Sequence, residues 1–204
     1  MAVLVLDPSE ERRLKRERKR NGADRYDEVW EGMYVMAPLA NNQHQWLALE
    51  IATAIRQGVR FPEDGIVFPG CNVSDRREKW EKNYRCPDVA VFLAGNPAED
   101  RETHWYGGPD FAVEIVSPGD RSRDKLEFYF GVGVRELLVV DRKPWRLELY
   151  RNDGEALSRE GACTASKVKV LNSQVIPFRF SLASGQPRPT LIITRRTDGH
   201  TTRI

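Results

Sequence analysis

Phe111-Ala112-Val113-Glu114-Ile115-Val116, followed by Ser117-Pro118-Gly119-Asp120 and, further on, Lys125, is the stretch that decides the fold. Its apolar residues fall on both parities, which predicts a strand covered on both faces. Glu114 interrupts the run. An ionised carboxylate in such a strand is costly unless a positive group meets it. Pro118 and Gly119 are expected to stop the strand. The stretch therefore predicts a covered sheet in which Glu114 has a cationic partner. The partner expected is a metal ion shared with a second carboxylate.

A candidate for that carboxylate lies upstream. Arg85-Cys86-Pro87-Asp88-Val89-Ala90-Val91-Phe92-Leu93 reads as an apolar strand with a proline-aspartate entrance, and proline is tolerated where no ladder donor is needed. The dipeptide alone carries little, since Pro109-Asp110 repeats it.

The chain around these strands is ordinary in bulk. Its 204 residues suffice for one sizeable core, with 40% hydrophobic and 30% charged residues. A formal charge of +2 excludes overall basicity as a signal for nucleic acid, so any phosphate-binding surface must come from local clustering. Three widely spaced cysteines, Cys71, Cys86 and Cys163, match no zinc pattern and point to reduced thiols and a cytoplasmic setting. Val3 to Leu6 is too short for a signal peptide, and no stretch approaches a membrane span.

Three units are expected: a basic helix or arm at 1–22, a single domain at 23–195 and a polar tail at 196–204. Asp7-Pro8-Ser9 starts the helix, and Arg12 to Arg20 is a basic run that is either a solvated face or an arm for phosphates. Glu31-Gly32 marks a hairpin between Tyr26–Trp30 and Met33–Met36. Taken by itself, Glu28 in that hairpin reads as facing outward. A helix runs from Asn41 or Asn42 to about Gln57, with Leu47, Ile51, Ala54 and Ile55 as its buried stripe and His44 in its first turn. Gly65 to Val73 reads as a strand. Asp75 to Lys82, charged around Trp80, reads as an exposed loop or a nucleic-acid track. A helix follows near Ser122, carrying Lys125 and Tyr129. Glu136 to Asp141 reads as a buried strand and Trp145 to Arg151 as a half-exposed one. Lys167–Leu171, Phe178–Leu182 and Leu191–Thr194 are further short strands.

The order of these residues resembles a known pattern. Pro87-Asp88, then Glu114 on the next strand, then Lys125 is similar to the PD-(D/E)xK nuclease superfamily, which has the restriction-endonuclease-like fold. Within it, the chain is similar to the Uma-two family of restriction endonucleases. Tyr26-Asp27-Glu28 with Glu31-Gly32, His44-Gln45, Pro87 to Val91, Val113 to Pro118, Lys125, Tyr129 and Gly133 to Asp141 carry the likeness.

The resemblance implies an α/β fold, a mixed sheet flanked by helices, with an added N-terminal hairpin and C-terminal strands. It implies Asp88, Glu114 and the Ile115 carbonyl as ligands of magnesium or manganese, which prefer oxygen donors. It implies Lys125 as the catalytic lysine, because Val116 occupies the superfamily's commoner lysine position. Glu28 becomes a further catalytic acid, and Glu31 and His44 secondary candidates. The activity implied is endonucleolytic cleavage of nucleic acid, DNA first, by a cytoplasmic protein that could form a homodimer and engages no membrane. Two alternatives stay open: a catalytically silent binding or regulatory module, and a metal hydrolase of small phosphoesters. Structural roles also stay open for the site residues: Asp88 at a strand start, Glu114 in a buried ion pair with Lys125, and Lys125 as a solvated residue in the first turn of its helix.

Overall fold

Phe111–Val116 forms the strand expected and lies inside a six-stranded sheet. The structure is a computed structural model and describes residues 3–5, 7–37, 40–117 and 121–204. Pro118 and Gly119, expected to stop the strand, fall outside the described residues. The sheet order is Leu157–Thr164, Trp145–Asn152, Glu136–Arg142, Phe111–Val116, Val89–Leu93, Gly65–Phe68. Phe111–Val116 pairs in parallel with Glu136–Arg142, placing Glu114 opposite Val139, and antiparallel with Val89–Leu93. The parallel pair needs a crossover. Its described part is a 3-10 turn, Ser122–Lys125, running into the short helix Leu126–Gly131. Gly133, at φ 89°, takes the left-handed conformation that follows the helix.

Alternation along the strand divides two cores. Phe111, Val113 and Ile115 face the helix Asn42–Arg56 and the C-terminal sheet, packing with Leu47, Ile51, Ile55, Phe178 and Phe180. Ala112 faces the other way, in a smaller cluster with Tyr129, Val134, Leu137 and Val139. Glu114 shares the parity of Ala112 and points to this second face, beneath the crossover.

A third layer comes from a seven-stranded sheet containing the hairpin Glu28–Trp30 and Met33–Met36. Glu31 and Gly32 both have positive φ, 49° and 85°, as a two-residue turn matched to strand twist requires. Tyr84–Arg85 joins this sheet beside Val29, whereas Val89–Leu93 belongs to the central sheet. The single strand expected over 85–93 is thus two strands in different sheets. Pro87 has no ladder donor and sits where the pairing changes hands, and Asp88 is carried to the seam between the sheets.

Other expectations change too. The strand expected over 65–73 is two pieces, Gly65–Phe68 and Val73–Ser74. Leu157–Thr164 is a full strand that the sequence reading passes over. Of 167–171, only Leu171 enters a strand. Leu147 to Tyr150 is buried on both faces, because arginines cover Glu148. The final residues are not a loose polar tail. Thr201–Arg203 pairs with Thr190–Arg195, and Ile204 exchanges two 2.9 Å backbone hydrogen bonds with Leu191. The helix Pro8–Arg20, capped by Asp7, buries no residue fully, but Arg18 ties it to the domain through Asp27. Among the described residues no helix is long and apolar enough to cross a membrane.

Candidate active site

Glu114 is 3% exposed and accepts three hydrogen bonds from two groups on the second face of the sheet. Lys125 Nζ donates to Oε1 at 2.9 Å and to Oε2 at 3.1 Å, and the Tyr129 hydroxyl donates to Oε1 at 2.5 Å. The crossover supplies both partners, Lys125 from the end of its 3-10 turn and Tyr129 one helical turn later. Lys125 also reaches the hairpin, donating to Glu28 Oε1 at 2.8 Å. Glu28 is held from two more sides, by the Cys86 backbone N–H at 2.8 Å and by Trp30 Nε1 at 2.6 Å. The outward orientation read from its own segment is therefore corrected. Glu28 is buried because the second sheet folds over the crossover and covers that face of the hairpin.

Asp88 approaches from the seam. Its Oδ2 accepts the Ile115 backbone N–H at 2.7 Å, and its Oδ1 lies 2.7 Å from His44 Nε2. The Asn41 cap fixes the first turn of the helix and so aims His44, whose Nδ1 lies 3.4 Å from Ser117 Oγ. Arg142 bonds Ser117 Oγ, the Val116 carbonyl and Asn41 Oδ1, tying the end of the Glu114 strand to the start of the histidine helix. A residue in a strand points its N–H and its carbonyl to the same side, so the Ile115 carbonyl faces the Asp88 edge as well.

The electrostatics follow from crowding. Burial pushes the Glu114 carboxyl up, to about 8; Lys125 opposes the shift, while the Asp88 and Glu28 carboxylates add to it. One ammonium does not compensate three converging carboxylates. Burial, then the Glu114 and Glu28 charges, push the Tyr129 hydroxyl well above its ordinary value, so it stays a donor. Arg85, buried nearby, directs Nη1 to the Val29 and Tyr84 carbonyls and to Asn83 Oδ1, and its guanidinium lies against Trp30 and Phe128. The oxygens that could hold a divalent cation are those of Asp88, Glu114 and the Ile115 carbonyl. Among the described residues, no three acids, histidines or cysteines form a ready metal cage, and Lys125 stands between Glu28 and Glu114.

The remaining candidates lie elsewhere. Glu31 is in the hairpin turn, 67% exposed at its side chain and 3.8 Å from Arg85, apart from the cluster. Asp141 pairs with Arg123 at 2.6 Å. Trp80 stacks on His104 with ring centres 4.9 Å apart, so the charged 75–82 segment has an ordered aromatic anchor. Tyr129 is the group whose part the sequence reading understates. Its position one helical turn after Lys125 was the available signal.

A family model described as "Putative restriction endonuclease" and named Uma2 matches residues 10–184. The chain belongs to the Uma2 family. Its matched span includes Glu28, His44, Asp88, Glu114, Lys125 and Tyr129, and excludes the last two strands, Thr190–Arg195 and Thr201–Arg203. Uma2 is a nuclease family by that description. A crystal structure of a "putative nuclease belonging to DUF820" from Anabaena variabilis is similar in fold, with a TM-score of 0.50, 19% identity, and coverage of 64% of this chain and 74% of that one. No curated protein matches. The likeness to the solved structure and the mixed sheets agree with the restriction-endonuclease-like α/β fold expected of a Uma2 chain.

Proposed function

We propose that this Uma2 protein is a divalent-metal-dependent endonuclease that hydrolyses phosphodiester bonds of nucleic acid, DNA first. The observation that carries the reading is the meeting of Glu28, Glu114 and Lys125 from a hairpin, a central strand and its crossover, with Asp88 entering from the seam.

The residues fit magnesium or manganese. Their donors are hard oxygens, and a buried carboxyl pushed up for want of positive charge is one that a dication would return to its ionised form. Asp88, Glu114 and the Ile115 carbonyl would hold the ion. When bound, it would lower the pKa of a water and offset charge gathering on the attacked phosphate.

The chain's own residues do the rest. Lys125 has three donors, and its hold on Glu28 and Glu114 aims the ammonium at the space beside Glu114, where it orients an attacking water and stabilises transition-state charge. Glu28 fixes the Lys125 rotamer and is fixed in turn by Cys86 and Trp30. Tyr129 donates to Glu114 Oε1, an oxygen it shares with Lys125, and Lys125 also reaches Oε2. His44 keeps Asp88 oriented through the 2.7 Å contact between its Nε2 and Asp88 Oδ1.

The Lys125–Glu114 ion pair also suits a silent scaffold that keeps the fold without cleavage. Plasmid nicking with manganese separates the two readings. Wild type should nick and Asp88→Ala should not. Identical behaviour of the two on every DNA and RNA form would end the nuclease reading.

A further inference from the structure

Beside Asp88 and His44 opens a cleft of about 430 Å³. Its walls are unlike the acid cluster. They include Tyr26 and Trp46, each 38% exposed, Leu49, 57% exposed, Ala48 and Pro69. Leu49 and Trp46 are among the few large apolar side chains on the surface, and they project from the helix that carries His44. Exposed apolar groups gathered in one place mark a binding surface. Trp46 is also braced: the Arg188 guanidinium lies over its ring at 4.7 Å and over Trp145 at 5.3 Å, which fixes the indole from one side while it lines the cleft.

We infer that this cleft takes an unpaired nucleobase of the nucleic acid whose phosphodiester sits at Asp88 and Glu114, stacked on Trp46 and Tyr26. The inference rests on the proposed function and names its substrate class: single-stranded or locally unpaired nucleic acid. A phosphate brought to Asp88 and Glu114 by the proposed cation carries a nucleoside on either side, and the cleft next to Asp88 is a wall that one of its bases can reach. The wall there is aromatic and apolar and can cover a π-face. Bases in an intact duplex have both faces stacked and cannot enter such a cleft until extruded. Arg188 adds a positive charge behind the stacking ring, which suits a chain of phosphates.

The test measures binding without cleavage. A fluorescein-labelled single strand of about 12 nucleotides, and the same strand annealed to its complement, are titrated with the full chain in calcium, without magnesium or manganese, and read by anisotropy. Trp46→Ala should weaken single-strand binding about tenfold and leave duplex binding within about twofold, while Trp46→Phe should retain most of it. Leu49→Ser, at an exposed position, serves as a second variant that does not depend on the Trp46–Arg188 contact and adds no charge, and should also weaken single-strand binding. Circular dichroism verifies that each variant folds. The inference fails if both variants bind the single strand as wild type does, or if both substrates weaken alike. It also fails if sedimentation shows that the variants dissociate an oligomer, because the cleft is then an interface between copies. Normal binding by the cleft variants alongside loss of nicking in Asp88→Ala would sink the base site alone. Loss of single-strand binding in the cleft variants, with wild type and Asp88→Ala equally unable to nick, would keep the base site and sink the catalytic reading.

Discussion

Glu28 and Glu114 share one ammonium: Lys125 Nζ stands 2.8 Å from Glu28 Oε1 and 2.9 Å from Glu114 Oε1. The three residues come from separate elements and are each 8% exposed or less. The arrangement ties stability and chemistry to the same side chain.

Lys125→Met should therefore damage both. Removing the cation leaves two buried carboxyls facing each other, at a cost on the order of 3 kcal/mol in denaturant unfolding. Adding Glu28→Gln should recover part of that stability without recovering nicking. A double variant that regains nicking would remove Lys125 from the chemistry.

Glu114→Gln is close in shape and should keep the fold, since Tyr129 and Lys125 still have an oxygen to meet. It should abolish manganese binding measured by calorimetry, with the loss seen directly in the binding isotherm. Asp88→Asn should do the same. A variant binding manganese as wild type does would place the ion elsewhere.

The pH dependence follows from the sign of the Glu114 shift. Its carboxyl is raised in the fold from an ordinary 4.5 to about 8, so the native state favours the protonated form. That contribution is complete below about 4.5, the unfolded value, and drains away as pH rises towards about 8. Urea unfolding in EDTA should show stability falling across this window, by at most about 1.4 kcal/mol per pH unit for a single proton. Glu114→Gln should flatten the slope. A wild-type curve as flat as that of the variant would contradict the assignment.

Arg18→Ala should loosen the N-terminal helix. Arg18 bonds both Asp27 oxygens and the carbonyls of Ala23 and Ala37, and Asp27 is also held by Tyr34. Losing the cation leaves Asp27 buried and short of a partner, a cost on the order of 3 kcal/mol. Limited proteolysis should then cut within Pro8–Arg20. Unchanged protection would show that the helix is held by other means.

The central strand, its acid and the helix after Asn41 were legible because strong local patterns mark them, whereas Lys125 was singled out only by the family resemblance. An apolar run on both parities admits few other structures, and Asn41 caps the helix as expected. Glu28 was not legible from its own segment. Alternation assigns Glu28 and Trp30 to one face but cannot say which face is covered when Tyr84–Arg85 arrives from far along the chain. The strand Leu157–Thr164 hides for a related reason. Its central residues Ser158, Arg159, Glu160 and Gly161 carry no strand pattern, and pairing with Trp145–Asn152 builds it. The tail looked polar because Ile204, its buried anchor, is a single residue. In each case tertiary contact overrides a weak local signal.

The acids sit on pieces that meet only when two sheets dock. A polypeptide still emerging from the ribosome holds Glu28 and Asp88 long before it holds Glu114, and all three before Lys125. No half-made chain can present the assembled cluster, so the order of synthesis itself keeps the centre latent until the crossover has been threaded and closed.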